Sequence, residues 1–247
     1  MADHAKPEGA SLPLSLYLSS PHDCPYLPDR LATDVFTQVS SISAADYALL
    51  MDHGFRRSGR LIYRPVCTEC RECRPIRVPV ASFRASRSQR RVARRNQNVH
   101  MSVATPQPTD EKWRLYGEYL RFQHDGKMAG DRDDFERFLY DSPTETLELE
   151  FRVAGRLVGV SIVDACPDCW SSVYFYFDPA EAKRSLGVYS AICEIAECGE
   201  RGLPFWYAGF YIRDCHQMNY KAAYRPFELL GPDGVWRAPA DDVTPRE

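Results

Sequence analysis

No run of about 18 apolar residues occurs in the 247-residue chain, so the sequence offers no membrane-spanning helix. The first residues, Met1 to Ser20, lack the charged start and long apolar segment of an export signal. The 9 cysteines are odd in number. They cluster as Cys67-x-x-Cys70-x-x-Cys73 and Cys166-x-x-Cys169, unlike a secreted disulfide framework. These absences point to a reducing cytoplasm, with no membrane partner. No internal repeat and no zinc-finger or RRM pattern is present. His22, His53, His100, His124 and His216 are scattered, none at metal-like spacing from another. No Ser–His–Asp or Cys–His arrangement is readable, although His124 beside Asp125 could serve as a base.

One further absence is local. Between Cys73 and Thr109 there is no Asp or Glu, while the same stretch holds Arg74, Arg77, Arg84, Arg87, Arg90, Arg91, Arg94 and Arg95. The whole chain carries −3, so its remainder is strongly acidic. Such asymmetry implies an anionic partner for one region.

Periodicity and breakers predict an α+β chain. Residues 1–20 read as a flexible lead-in, 21–105 as a Cys- and Arg-rich N-terminal domain, 106–237 as a catalytic domain and 238–247 as a tail. Ser43 to Gly54 reads as a helix, and Leu61 to Val66 as a strand. Thr109 opens a helix carrying Trp113, Tyr116 and Leu120 on one face. A short helix follows near Asp133 to Tyr140. Thr146 to Val153, Arg156 to Asp164 and Ser171 to Phe177 read as strands, the first two joined by a turn at Ala154-Gly155. Ser185 to Arg201 is a helix stopped by Gly202. Pro204 to Tyr211 is a further strand, and Met218 to Tyr224 one or two helical turns. Strands in series, then a helix, then a strand resemble the GNAT acyltransferase fold.

Ser86-Arg-Ser-Gln89 fits a capping box. In a helix starting there, Arg87, Arg90, Arg91, Arg94 and Arg95 share an arc of roughly 140°, with Val92 and Ala93 outside it. Arginine in a first turn opposes the helix dipole, and like charges on one face repel. Local stability does not explain the pattern, whereas a phosphate backbone does. The bland alternative is a solvated face paired with acids from elsewhere.

Cys67, Cys70 and Cys73 can converge on one ion, with Cys24 as a fourth ligand, and zinc or an iron–sulfur centre would accept the spacing. Buried or idle thiols are the equal alternative. Cys166-Pro-Asp-Cys169 reads as a surface loop rather than a redox pair. Arg184-x-x-Gly187 before a helix resembles the pyrophosphate loop of GNAT enzymes. Tyr189, at the position of its last small residue, argues against coenzyme A.

Taken in order, several runs resemble the bacterial branch of the arginyl-tRNA–protein transferase family. They are Cys24-Pro-Tyr-Leu-Pro, Gly54-Phe-Arg-Arg-Ser-Gly-Arg60, Tyr63-Arg-Pro-Val-Cys67 and Cys70-Arg-Glu-Cys-Arg-Pro-Ile-Arg-Val-Pro-Val80. Ser86-Arg-Ser-Gln-Arg-Arg91, Tyr174-Phe-Tyr-Phe-Asp-Pro179, Arg184-Ser-Leu-Gly187 and Met218-Asn-Tyr-Lys-Ala-Ala-Tyr-Arg-Pro226 continue the series. The resemblance covers residues from about 22 to 237. It implies an enzyme with a GNAT-like catalytic domain and a smaller N-terminal part. It implies transfer of leucine from leucyl-tRNA to proteins beginning with Asp or Glu, marking them for degradation. Eukaryotic members bind a metal through N-terminal cysteines, but Cys24-Pro-Tyr-Leu27 lacks a second Cys, so that centre does not carry over.

An aminoacyl ester is already activated, so the chemistry needs positioning and oxyanion stabilisation, and no cofactor. Arg56, Arg57, Arg77, Lys221 and Arg225 are the candidate cations for an acidic N-terminal residue. Tyr174, Tyr176, Phe177 and Tyr220 are candidates for the leucyl pocket or for orienting the ester. Tyr176 and Asp178 are the catalytic candidates. Arg184 and Gly187 join the five helical arginines as candidate tRNA contacts. Ordinary core packing is the competing reading of the strand tyrosines, and a solvated helix end that of Lys221 and Arg225. Three other functions stay open: an arginyl-tRNA donor, acetyl transfer from acetyl-CoA, and a metal-containing RNA-binding protein without catalysis. No apolar seam indicates an oligomer.

Overall fold

The computed structural model describes residues 14–123 and 130–239. His124, Asp125 and most of the expected lead-in and tail lie outside them. The strands are β1 (Tyr17–Leu18), β2 (His22–Asp23), β3 (Leu31–Ala32), β4 (Asp34–Gln38), β5 (Arg56–Ser58), β6 (Leu61–Pro65) and β7 (Arg74–Pro79). They continue with β8 (Val99–Ala104), β9 (Thr146–Val153), β10 (Arg156–Ala165), β11 (Cys169–Phe177), β12 (Phe205–Tyr211), β13 (Glu228–Leu230) and β14 (Trp236–Arg237). The helices are α1 (Ala44–Asp52), α2 (Arg87–Arg95), α3 (Asp110–Gln123), α4 (Arg132–Phe135), α5 (Leu186–Glu200) and α6 (His216–Asn219).

An eight-stranded sheet in the order β14-β13-β7-β12-β11-β10-β9-β8 forms the frame. Its pairs are antiparallel except β11–β12, which the crossover helix α5 joins in parallel. The α+β class is therefore as the sequence indicates. β7 and β8 precede residue 105 yet belong to this sheet, so no sheet boundary falls there. A smaller sheet, β1-β4-β6-β5, and α1 cover one end.

Local signals explain the elements. Ser43 caps α1 by accepting from the Asp46 N–H at 3.1 Å. The capping box at Ser86 forms: its hydroxyl accepts from Gln89 N–H at 3.2 Å, and Gln89 Oε1 accepts from Ser86 N–H at 2.8 Å. Ala154 and Gly155 turn β9 into β10 with φ of 50° and 84°, the twist that suits a two-residue hairpin. The expected third strand starts two residues early, at Cys169. The expected helix near 133–140 divides into α4 and a π-helical turn, Glu136–Tyr140.

Leu157 to Asp164 is buried at every position, because both faces of β10 are covered. On one face Val163, Trp170, Leu186, Ile195 and Trp206 pack beneath α5. On the other, Leu115, Leu120, Phe135 and Leu139 of α3 and the α4 region pack against Leu157, Val160, Ile162 and Tyr176. Each such side chain contributes about 1.5–3 kcal/mol by leaving water. No helix among the described residues is long and apolar enough to cross a membrane.

Candidate functional site

β11 and β12 pair only from Cys169↔Phe205 to Ser171↔Tyr207. Beyond Tyr207 they part, and the β12–β7 register also shifts between Tyr207 and Gly209. Gly209, at φ 89°, makes this bulge possible. Arg56 and Lys221 both donate to β12 carbonyls at this bulge.

Two cations meet there, neither paired with a carboxylate among the described residues. Arg56 is 5% exposed. Its guanidinium donates to Phe55 O at 2.6 Å, Met51 O at 3.3 Å and Gly209 O at 3.5 Å, and lies 5.1 Å from the Tyr207 ring centre. Its Nε is buried with no partner. Burial pulls its pKa down. Lys221, half-buried on the turn after α6, donates to Phe210 O at 3.0 Å. A Cβ on Gly209 would sit 3.4 Å from its Nζ. Burial, and then the charge of Arg56, lower the Lys221 pKa to about 7. Two cations held near each other with neither paired run against ordinary packing, where buried charge is paired.

Two of the other expected cations are committed elsewhere. Arg57 forms a fully buried fork with Asp164, at 2.8 Å from Nε and 2.6 Å from Nη2. Arg77 bridges Glu228 at 2.8 Å and Asp52 at 3.1 Å, between the rings of Phe205 and Trp236. Both therefore tie elements together through carboxylates of the chain itself. Arg225 is exposed, lies 5.6 Å from the Phe227 ring and has no acidic partner among the described residues.

Tyr176 and Asp178, the two expected catalytic residues, are each held in a local network. Tyr176 is 0% exposed. Its hydroxyl meets that of Tyr140 at 3.1 Å, and Tyr140 donates to Glu148 at 3.0 Å. It belongs to a sealed polar chain ending at Lys112, which is paired with Glu148 and Glu150. Asp178 accepts from Ala180 N–H at 2.9 Å and pairs with Arg156, so it fixes the turn after β11. Tyr174 and Tyr220 differ. Tyr174 is half-buried, edge-on to Tyr119 at 6.4 Å and Phe138 at 5.1 Å. Tyr220 is 51% exposed, next in sequence to Lys221 and within electrostatic reach of Tyr119. Phe177 stacks on Phe175 at 6.0 Å and meets Tyr119 at 5.2 Å.

Sequence reasoning missed Gly209, Tyr119 and Glu194. A lone glycine within an aromatic strand was the readable sign of a bulge. Glu194 is buried beneath the same region. It accepts from Ser161 at 2.6 Å, Ser190 at 2.9 Å and Trp206 Nε1 at 2.8 Å, so it locks α5 to β10 and β12. Burial raises its pKa.

The arginine helix adjoins the gap. Gln89 donates to Ala223 O at 3.2 Å and Arg84 N–H to Arg225 O at 3.1 Å. At the other end Asn96 donates to Arg184 O at 2.9 Å. Arg87, Arg90, Arg91, Arg94 and Arg95 are all exposed, while Val92 and Ala93 are half-buried. Among the described residues none of the five pairs with an acid; Arg90 and Arg95 donate only to the carbonyls of Ala85 and Lys183. Arg184 binds Glu181 and Asn98, and Gly187 lies exposed in the first turn of α5.

Cys24, Cys67, Cys70 and Cys73 share one neighbourhood. Burial pushes the Cys73 thiol up to about 12, and the other three cysteines add to it. Cys24 Sγ accepts from Leu27 N–H at 3.4 Å, and Cys70 Sγ from Arg30 at 3.4 Å. Among the described residues no three His, Cys, Asp or Glu side chains form a group able to hold a metal ion. Cys166 and Cys169 are buried at the β10–β11 turn.

The N-terminal model of arginine-tRNA-protein transferases matches residues 22–91, and the C-terminal model matches residues 111–231. The chain belongs to this family and is an aminoacyltransferase. It is 42% identical to the aspartate/glutamate leucyltransferase of Pseudomonas fluorescens (strain SBW25) over 220 residues, 88% of this chain and 94% of the relative. Identity to the enzyme of the same name from Saccharophagus degradans is 42% over 221 residues, with the same coverage. Among solved structures, FemX covers 74% of this chain and 76% of its own, at 10% identity and a TM-score of 0.45.

Proposed function

We propose that the protein transfers leucine from leucyl-tRNA to the N-terminal amine of proteins beginning with Asp or Glu, a mark for degradation. The observation that carries this reading is the meeting of Arg56 and Lys221 at Gly209 with no carboxylate of their own. An acidic N-terminal side chain supplies the missing anion. The names of the two relatives support the same donor and acceptors.

The geometry suggests how the reaction runs. The arginine face of α2 holds the phosphates of the tRNA, with Arg184 and Gly187 near its C-terminal end. Four antiparallel strands, β8 to β11, followed by α5 and the parallel β12, form a GNAT-like layout whose opening receives the ester. The rings of Tyr119, Tyr174 and Phe138 supply apolar surface for the leucyl side chain. The Tyr220 hydroxyl, protonated at neutral pH, is placed to donate to the developing oxyanion. The α-amine, with an ordinary pKa of about 7.7–8.0, attacks when neutral, and its proton passes to solvent or to the departing ribose oxygen. Positioning supplies most of the rate, and the transfer needs no cofactor. The cytoplasm, where charged tRNA is available, suits this reading.

The test is a transfer assay with separately charged leucyl- and arginyl-tRNA and peptides beginning with Asp, Glu, Arg or Lys. Leucine transfer to Asp and Glu peptides alone is expected. Arginine transfer to the same peptides would overturn the donor, and no transfer from either would overturn the reading.

A further inference from the structure

A second cation-lined recess borders the Arg56 and Lys221 region, since Pro75 of its wall pairs with Phe210, whose carbonyl Lys221 binds. It has a volume of about 470 Å³ and sits between the end of β6, the cysteine loop, the start of β7 and the turn after β13. Arg64, Arg71 and Arg74 line it, with His53 at its edge, and no Asp or Glu does. Val66, Pro75 and Leu230 give it apolar walls.

Arg64 lies 5.0 Å from the Phe55 ring, but among the described residues none of the three guanidiniums has a carboxylate partner. Arg64 donates to His53 O at 2.8 Å, but its Nε is buried without a partner. Arg71 donates to the carbonyls of Cys67 and Cys70 and to no carboxylate. The Arg74 side chain has no hydrogen bond or ion pair among the described residues. Glu72 and Asp214 act on Tyr211, as Arg74 does, but neither lines the recess. Three like charges around one hollow raise the energy of the free protein, a local conflict of the kind found at binding sites. Planar guanidiniums suit phosphate oxygens, and apolar walls suit a base or sugar face. The volume lies within the range of about 300–1,000 Å³ typical of small-ligand sites.

We propose that this recess binds a nucleoside phosphate through Arg64, Arg71 and Arg74. The source is either a free nucleotide or a nucleotide of a bound RNA strand. Binding is measured without catalysis, so failure of the proposed reaction leaves this inference standing.

The experiment measures binding of adenosine monophosphate and of uncharged tRNA to the full chain, without catalysis. Arg74→Gln is the primary variant, since that side chain has no partner to lose, and Arg64→Gln the second. Thermal unfolding checks that each is folded. A free-nucleotide site predicts adenosine monophosphate binding that falls at least tenfold in Arg74→Gln. An RNA-borne phosphate predicts no nucleotide binding, weaker tRNA binding, and a salt slope reduced by about one for each arginine removed. Folded variants that bind both ligands as the wild type does would overturn the proposal.

Discussion

Replacing Lys221 with methionine keeps the stem's volume and removes only the ammonium. In the free protein that ammonium is half-buried near Arg56 and unpaired, so the variant loses a hydrogen bond to Phe210 O but also relieves repulsion. At pH 7 it should be no less stable than the wild type. Burial depresses the folded-state pKa to about 7, so between about pH 7 and 10 the unfolded chain binds more protons than the folded one. Wild-type stability therefore rises with pH across that window, and the variant's relative advantage shrinks. With an acidic acceptor bound, the balance reverses. A carboxylate about 4 Å from a charge in a half-buried site gains about 4 kcal/mol of Coulomb energy before desolvation. Arg56 remains, so a net loss of about 2–3 kcal/mol is expected, or roughly 30- to 150-fold in kcat/KM. The assay compares leucine transfer to peptides beginning with Asp and with its neutral isostere Asn. The wild type should prefer Asp strongly, and Lys221→Met should lose most of that preference through the Asp substrate. An unchanged Asp-to-Asn ratio in a folded variant would refute the assignment of Lys221 to the acidic side chain.

Acceptor use should also depend on pH in a defined direction. Lys221 is cationic below about 7 and loses its proton above, whereas the attacking amine becomes competent as pH rises towards 8. The profile of kcat/KM for Asp peptides should be a bell, and Lys221→Arg should remove its alkaline limb; retention of that limb would place its origin elsewhere. Changing Arg87, Arg91 and Arg94 to Gln should weaken tRNA binding and flatten its salt dependence by about two to three units of slope, with unchanged thermal stability. Asp164→Asn leaves buried Arg57 without its counter-charge and should cost about 3–5 kcal/mol in denaturant titration. Glu194→Gln sets an amide N–H₂ against a donor, Trp206 or the serines, and should cost about 1–3 kcal/mol.

The sequence revealed those parts of the site that rest on neighbours in the chain. The capping box at Ser86 and the spacing of five arginines are local facts, and α2 forms as they require. The same holds for the turn at Ala154-Gly155 and the helix stop at Gly202. What composition left ambiguous was which arginine already has a partner. Arg56 and Arg57 are adjacent and equally buried, yet their roles diverge because successive strand residues point to opposite faces. One face of β5 finds Asp164, more than a hundred residues away, and the other finds Gly209 and a lysine. Tyr174 and Tyr176 of β11 show a second limit. They share a face by strand alternation, but α3 and the α4 region seal over Tyr176 and leave Tyr174 half-exposed. No pattern within the strand distinguishes them, since the difference lies in where a helix from elsewhere comes to rest. Unpaired buried charge, which is costly to maintain without a ligand, is the better guide here, and it selects Arg56 and Lys221.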